Sequence, residues 1–224
     1  MSMRKLGLIT VGQTPRTDVL VDLIPIFGDS VELHQAGALD GLTAEDIAAF
    51  DRIEGEALLI SKLKDGSSVF FPRRCILPRL QSCIDRLEAA GVEMILFLCT
   101  EDFPSFRCRV PIYFPNDILN GTAPALAPRS KVAVIIPKEE QIEQTRYKWR
   151  EQIEHLVILI ASPYGDPAEL ERAAENAAAM DVDLVVMDCI GYTEKMKQQV
   201  AAISGKPVML SRTIAARVIA ELLL

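Results

Sequence analysis

The sequence predicts an α/β protein of two pseudo-symmetric lobes, each a mostly parallel sheet flanked by helices, with a ligand cleft between the lobes. Three observations carry that expectation. Apolar strand-like runs alternate with amphipathic helical stretches almost throughout the 224 residues, the pattern of sheets covered by helices on both faces. One βα junction is used twice: "AAGVEMILFLC" (89–99) aligns without a gap on "AMDVDLVVMDC" (179–189), so that Val92 falls on Val182, Glu93 on Asp183, Met94 on Leu184 and Cys99 on Cys189. A strand led by proline follows in each half, at Pro111-Ile112 and Pro207-Val208, after a longer intervening segment in the second.

The elements follow in order. KLGLITV (5–11) reads as a strand, and Thr14-Pro15 opens a helix to about Phe27, with Thr as cap and Pro in the first helical position. VELHQAG (31–37) is the next strand, and Thr43 caps a short helix ending near Ile53. Residues 57–71 read as a hairpin turning at Lys64-Asp65-Gly66-Ser67. A helix from about Pro78 to Ala90 is closed by Gly91 and leads to a strand at 92–98. After a short strand at 110–114 come a short helix at 116–120 and a breaker-rich stretch from Gly121 to Arg129, which reads as an inter-lobe linker. Strands at 131–137, 155–162, 183–188 and 206–211 then alternate with helices at about 139–153, 166–180 and 193–203, and a largely apolar helix runs from Thr213 to Leu224. The expected lobes are 1–115 with 212–224, and 116–211.

Composition excludes several functions. Half of the residues are hydrophobic and 25% charged, which rules out a disordered or collagen-like chain. A net charge of −7 without a Lys/Arg cluster argues against nucleic acid or an anionic membrane as partner. No secretory signal is read, because Gln13, Arg16 and Asp18 interrupt the first apolar run, and no run approaches the roughly 20 apolar residues of a membrane helix. The five cysteines are odd in number and lack zinc-site spacing, so neither a disulfide framework nor a metal site is expected. A cytoplasmic protein with free thiols and a small-molecule ligand follows.

The two aligned thiols carry the chemistry. Ligands of α/β sheets bind outside the carboxyl ends of the strands, where loop amides and helix N-termini converge. Cys99 and Cys189 both stand there. A thiol, with its pKa near ~8.5, serves as acid and as base close to neutral pH. Two of them on opposite sides of a carbon acid would remove a proton from one face and return one to the other, inverting the centre without metal or cofactor. Buried cysteines commonly only fill space, and Cys75, Cys83 and Cys108 read that way.

Other residues at strand ends are candidates for holding the ligand. In GQTPR, Gly12 permits close backbone approach, Gln13 and Thr14 offer hydrogen bonds, and Arg16 pairs with a carboxylate; the competing reading is an ordinary helix start with a solvated arginine. Thr100 adjoins the first thiol. Ser162 begins a Ser-Pro-Tyr-Gly segment that either lines the wall or makes a tight turn. Gly191, Tyr192 and Thr193 offer amides and hydroxyls to an oxyanion, while Thr193 reads equally well as a helix cap. Ser211 and Arg212 follow the last strand, where a cap with a surface arginine is the rival. Asp188 and Glu101 flank the thiols with ambiguous effect, since a neighbouring carboxylate also raises a thiol pKa. His34 and His155 are too isolated for a metal site.

These stretches also carry a resemblance. GLITVGQTPRTD near the start, QAGALDGL (35–42), LPRLQ (77–81), LCT (98–100), KW (148–149), ASPYG (161–165), DCIGYT (188–193) and GKPVMLSRT (205–213) together resemble the AroM family over essentially the whole chain. More distantly the chain is similar to the aspartate/glutamate/hydantoin racemase superfamily, which implies two pseudo-symmetric α/β lobes and one catalytic cysteine from each. Cys189-Ile190-Gly191 resembles the Cys-x-Gly of the hydantoin racemase branch. The Asn-Thr beside the first cysteine and the His after the second, usual in amino-acid racemases, are absent. The resemblance implies a racemase or isomerase acting beside a carboxylate or carbonyl, and allows a homodimer. The alternatives are a one-thiol decarboxylase or double-bond isomerase of the same fold, and a non-catalytic small-carboxylate binding protein.

Overall fold

The computed structural model describes residues 3–53, 56, 58–127, 129 and 131–223. Two compact units divide the chain, Met1–Phe114 with Ile219–Leu224, and Pro115–Val218.

The first unit is built on β1 (Arg4–Thr10), β2 (Val31–Gly37), β5 (Met94–Leu98) and β6 (Ile112–Tyr113), paired in parallel in the order β2-β1-β5-β6. Between β2 and β5 lie α2 (Ala44–Ala48), an antiparallel hairpin of β3 (Leu58–Lys62) with β4 (Ser68–Pro72), and α3 (Arg73–Ala89). The expected hairpin is therefore present; Ala57 lies outside the described residues. Its core joins Ile9, Ile95 and Phe97 of the sheet to Leu59 and Phe71 of the hairpin and to Ile76, Leu80, Cys83, Ile84 and Leu87 of α3.

The second unit repeats the plan without a hairpin. Strands β7 (Lys131–Ile136), β8 (His155–Ile160), β9 (Leu184–Met187) and β10 (Val208–Leu210) pair in parallel in the order β10-β9-β7-β8. Helices α5 (Ile142–Trp149), α6 (Pro167–Ala179) and α7 (Glu194–Ser204) connect them. The largely apolar α8 (Ser211–Leu223) follows β10; Leu224 lies outside the described residues.

The duplication seen in the sequence extends to single hydrogen bonds. Glu93 N donates to Lys5 O, and Asp183 N to Lys131 O, both at 2.8 Å. Ile95 N donates to Pro111 O and Val185 N to Pro207 O, both at 2.9 Å; Ala38 N donates to Thr10 O and Ala161 N to Ile136 O, both at 3.0 Å. Leu6 pairs with Met94 as Val132 pairs with Leu184, so Cys99 and Cys189 occupy the same register position.

Four boundaries differ from expectation, each for a packing reason. The helix α1 (Thr17–Phe27) begins after Thr14-Pro15, whose peptide bond is cis; Thr14 does not cap it, because its backbone N–H and hydroxyl both go to Asp40 at 2.7 and 2.8 Å. Thr43 caps α2 as expected, in a reciprocal capping box with Asp46. That helix ends at Ala48 instead of near Ile53, and Arg52 binds Phe70 O of β4 at 2.9 Å. Helix α3 starts at Arg73, ahead of Pro78, because Ile76 and Leu80 form one buried stripe with Ile84 across the proline. The expected linker from Gly121 is largely helix: α4 (Pro115–Leu126) runs through Gly121 and Pro124. Its buried Leu119 and Ala123 pack with Val132 and Met209, and this burial overrides two poor helix formers. Pro128 of that stretch lies outside the described residues.

Gly37 closes β2 where a side chain has no room: a Cβ there would stand 2.6 Å from Gly12 O and 2.8 Å from Asp40 Oδ1. Gly37→Ala is expected to cost about 1–3 kcal/mol of unfolding free energy in a urea titration, with the far-ultraviolet circular dichroism spectrum unchanged.

Candidate active site

The period of two along a strand decides which way each terminal side chain points. In β5 and the residue after it, Ile95, Phe97 and Cys99 share the face that packs against α3 and the hairpin, and Cys99 is half-buried at its lip. In β9, Val185 and Met187 share one face with Cys189, also half-buried, while Leu184 and Val186 face Trp149 on the other. Asp188 falls on the Trp149 side. Its Oδ2 accepts from Lys148 Nζ at 2.8 Å and from Trp149 Nε1 at 3.3 Å. The carboxylate flanking the second thiol is thus turned to a lysine on α5, a residue the sequence reading passed over. The only signal for it was the Lys-Trp pair among the resemblance motifs.

The loop after β9 is shaped around Cys189. Gly191 N donates to Cys189 Sγ at 3.3 Å, an amide aimed at sulfur that favours its anion. Gly191 is glycine of necessity, since a Cβ would lie 2.6 Å from Tyr164 Oη and 2.7 Å from Pro163 Cγ. The two motifs ASPYG and DCIGYT therefore pack against each other. Arg212 is 1% exposed and donates through Nε (2.8 Å) and through its terminal nitrogen to Ile190 O; it is a buried anchor of the thiol loop, not a surface arginine. Tyr192 is fully buried and donates to Ala161 O at 2.6 Å. Burial, followed by the charges of Cys189 and Asp188, pushes its phenol well above the usual tyrosine value, so it stays protonated as a fixed donor.

The remaining candidates of this unit divide between structure and site. Thr193 caps α7 by accepting from Met196 N at 3.2 Å. Ser162 makes the tight turn: its Oγ accepts from Tyr164 N at 3.2 Å and its carbonyl from Gly165 N at 3.3 Å. Ser211, at the start of α8, is completely buried with no hydrogen-bond partner for its Oγ among the described residues.

In the first unit the residues after β1 form an interlocked cluster. Gly12 is buried against the hairpin, where a Cβ would meet Ser61 Oγ at 2.0 Å, so close approach is to protein and not to a ligand. The Gln13 amide donates to Leu42 O at 2.8 Å and accepts from Lys64 N at 3.0 Å, tying the hairpin to the loop after β2. Asp40 receives Thr14 twice and Gly37 N at 2.9 Å. Arg16 is 4% exposed; Nε and a terminal nitrogen hold the Asp18 carboxylate at 2.8 Å each, and the other terminal nitrogen reaches Thr10 Oγ1 at 3.1 Å. Arg16 is thus a buried, ion-paired residue, not a solvated one. Arg79 of α3 donates to Ala38 O and, at 2.7 Å, to Asp40 O. Thr100 follows Cys99 at the edge of β5, and β5 lies beside β1 in the sheet. His34 pairs with Glu32 at 2.9 Å and His155 is exposed; among the described residues no group of acidic, His and Cys side chains is arranged to hold a metal.

Comparison with known proteins fits this geometry. The model of the AroM family, described as "AroM protein", matches residues 6–223. The chain belongs to the AroM family. No curated protein sequence matches it significantly. Among solved structures, the AroM chain resembles allantoin racemase from Klebsiella pneumoniae, with a TM-score of 0.69 at 12% identity over 98% of this chain and 87% of that one. Maleate isomerase Iso from Pseudomonas putida S16 gives 0.64 at 17% over 99% and 93%, and Picrophilus torridus aspartate racemase 0.62 at 13% over 98% and 94%. At these identities the likeness establishes the fold alone, one shared with an allantoin racemase, a maleate isomerase and an aspartate racemase. Among the described residues no helix of this AroM protein is long and apolar enough to cross a membrane.

Two outcomes follow from the site geometry. Tyr192→Phe leaves the buried Ala161 carbonyl without its donor and is expected to lower unfolding free energy by about 1–3 kcal/mol, read by chemical denaturation. Burial raises the thiols of Cys83 and Cys108, so peptide mass spectrometry after brief iodoacetamide treatment at pH 8 should find both less modified than Cys99 and Cys189.

Proposed function

We propose that this AroM-family protein is a cofactor-independent racemase or isomerase of a small carboxylate or carbonyl compound, with Cys99 and Cys189 as its proton-transfer pair. The observation that carries the reading is the matched placement of two half-buried thiols, each one register step beyond the same point of a duplicated strand. Space-filling does not require a thiol at both positions.

In the proposed step one sulfur is thiolate and the other thiol. The thiolate takes the proton from the carbon beside the carbonyl; that C–H bond breaks and its electron pair moves into an enolate. The second sulfur gives its proton to the opposite face, leaving an inverted centre and the two sulfurs with exchanged protonation. Each thiol is both acid and base near neutral pH. The Gly191 amide favours the anionic form of Cys189, and Arg212 and Tyr192 keep its loop in place through Ile190 O and Ala161 O. The side chains of Gln13, Thr14, Arg16, Ser162, Tyr192, Thr193 and Arg212 are held by protein atoms, and Gly12 and Gly191 are closed by neighbouring side chains, so in this reading they shape the loops around the thiols, with Thr100 beside Cys99 as a candidate ligand contact. The fold shared with a maleate isomerase and with racemases of an amino acid and of a ureide supports this class of substrate.

The test is a panel of chiral carboxylates and cyclic ureides incubated with the protein in deuterium oxide. One member should gain a single deuteron at the carbon beside its carbonyl and lose optical activity, and Cys99→Ala and Cys189→Ala should each slow racemisation by about a hundredfold or more. Full turnover in either single variant would sink the two-thiol mechanism. Retained substrate affinity in the double variant, with no deuterium incorporated by the wild type, would make the protein a binder.

A further inference from the structure

The duplicated scaffold supplies its own control for the pair Lys148 and Asp188. The register that aligns Cys99 with Cys189 aligns Leu98 with Asp188. Leu98 is 3% exposed and Asp188 7%, so the same strand end is buried in both units, once as hydrocarbon and once as an acid. Burying an ion pair where an apolar side chain suffices gains little stability and often loses some. The fold itself therefore does not account for the second unit's choice. Asp188 is paired with an ammonium at 2.8 Å whose side chain is itself only 15% exposed, and is held further by the fully buried Trp149 indole at 3.3 Å. One peptide bond separates this carboxylate from Cys189.

We propose that Lys148 is a positioning residue for Cys189: by fixing and neutralising Asp188 it sets the charge felt at the sulfur and so the pH at which the thiolate forms. The proposal rests on the assignment of Cys189 to the reaction. Among the described residues, the ionisable groups placed about this thiol loop include Asp188 beside Cys189, Lys148 from α5, Tyr192, Tyr164 against Gly191, Glu169 of α6, and Arg212 from α8 through Ile190 O. Tyr192 is held neutral by its burial, and Arg212 is charged at every relevant pH. Of these groups Lys148 and Asp188 carry opposite charges 2.8 Å apart, so removing either one changes the charge beside the thiol with a definite sign.

The experiment follows the rate of iodoacetamide modification of the Cys189 peptide from pH 5 to 10 by mass spectrometry, and needs no substrate. Lys148→Met removes a positive charge beside the acid and should move the midpoint up by about one pH unit, a tenfold loss of thiolate below it. Asp188→Asn removes a negative charge beside the ammonium and should move it down by a similar amount. Lys148→Arg keeps the charge and should restore the wild-type profile, as should the double variant Lys148→Met/Asp188→Asn. Cys108, a thiol outside the proposed pair, serves as the internal reference and should not move. If a single variant fails to fold, judged by circular dichroism, the other single variant and the double variant carry the same test. Unmoved midpoints, or midpoints moved in the same direction in both single variants, would overturn the proposal. Signed shifts without deuterium incorporation would refute the isomerase reading alone, and incorporation without signed shifts would refute the role of Lys148 alone.

Discussion

Parallel strands end in carbonyl groups that their neighbours do not cover, and every loop at the carboxyl edge of such a sheet has to supply donors for them. That requirement organises both halves of this protein. After β2 the acceptor that strand pairing leaves over is Ala38 O, met by Arg79 from α3; after β8 its register counterpart is Ala161 O, met by the Tyr192 hydroxyl. The solution differs because the elements standing nearby differ. In the first unit a hairpin is inserted between β2 and β5 ahead of α3, and that helix brings a guanidinium. In the second the thiol loop itself folds back and brings a phenol. Arg212 answers the next acceptor, Ile190 O, inside the same loop.

One consequence is that Cys189 sits on a loop held from several sides by buried groups rather than on a free end. The proposed proton transfer would gain from this, because fixed groups keep the sulfur in position and cost no reordering when a substrate arrives. Another consequence is divergence between the two copies. A duplicated strand end can hold Leu98 or Asp188 with equal burial, but only the second brings a charge to the flank of a sulfur.

Much of the architecture was legible because strand patterning depends on short stretches. Val31 to Gly37 reads as a strand residue for residue, and the gapless match that set Cys99 on Cys189 reappears as identical backbone hydrogen bonds. The misreadings cluster where a distant partner competes with a local signal. Thr14-Pro15 has the composition of a helix start, yet Asp40, far along the chain, takes both of its donors. Gly121 and Pro124 carry loop signals, yet the apolar stripe of α4 has a sheet to pack on. For Arg16 and Arg212 only the rival reading of a solvated surface arginine fails, because both side chains are buried on Thr10 Oγ1 and Ile190 O.

The sequence by itself determined the alternation of strands and helices, the doubling of the βα plan and the pair of thiols at equivalent strand ends, because each depends on periodicity within a dozen residues. Tertiary structure alone decided which polar side chains are already spent. Gln13, Thr14, Ser162, Tyr192 and Thr193 look alike in one dimension as ligand contacts, and each is assigned to a protein partner only when the loops are brought together. The same holds for Lys148, forty residues from Asp188 in the chain. The physical reason is that a hydrogen bond or ion pair depends on separation in space, and a linear sequence records separation only along the backbone.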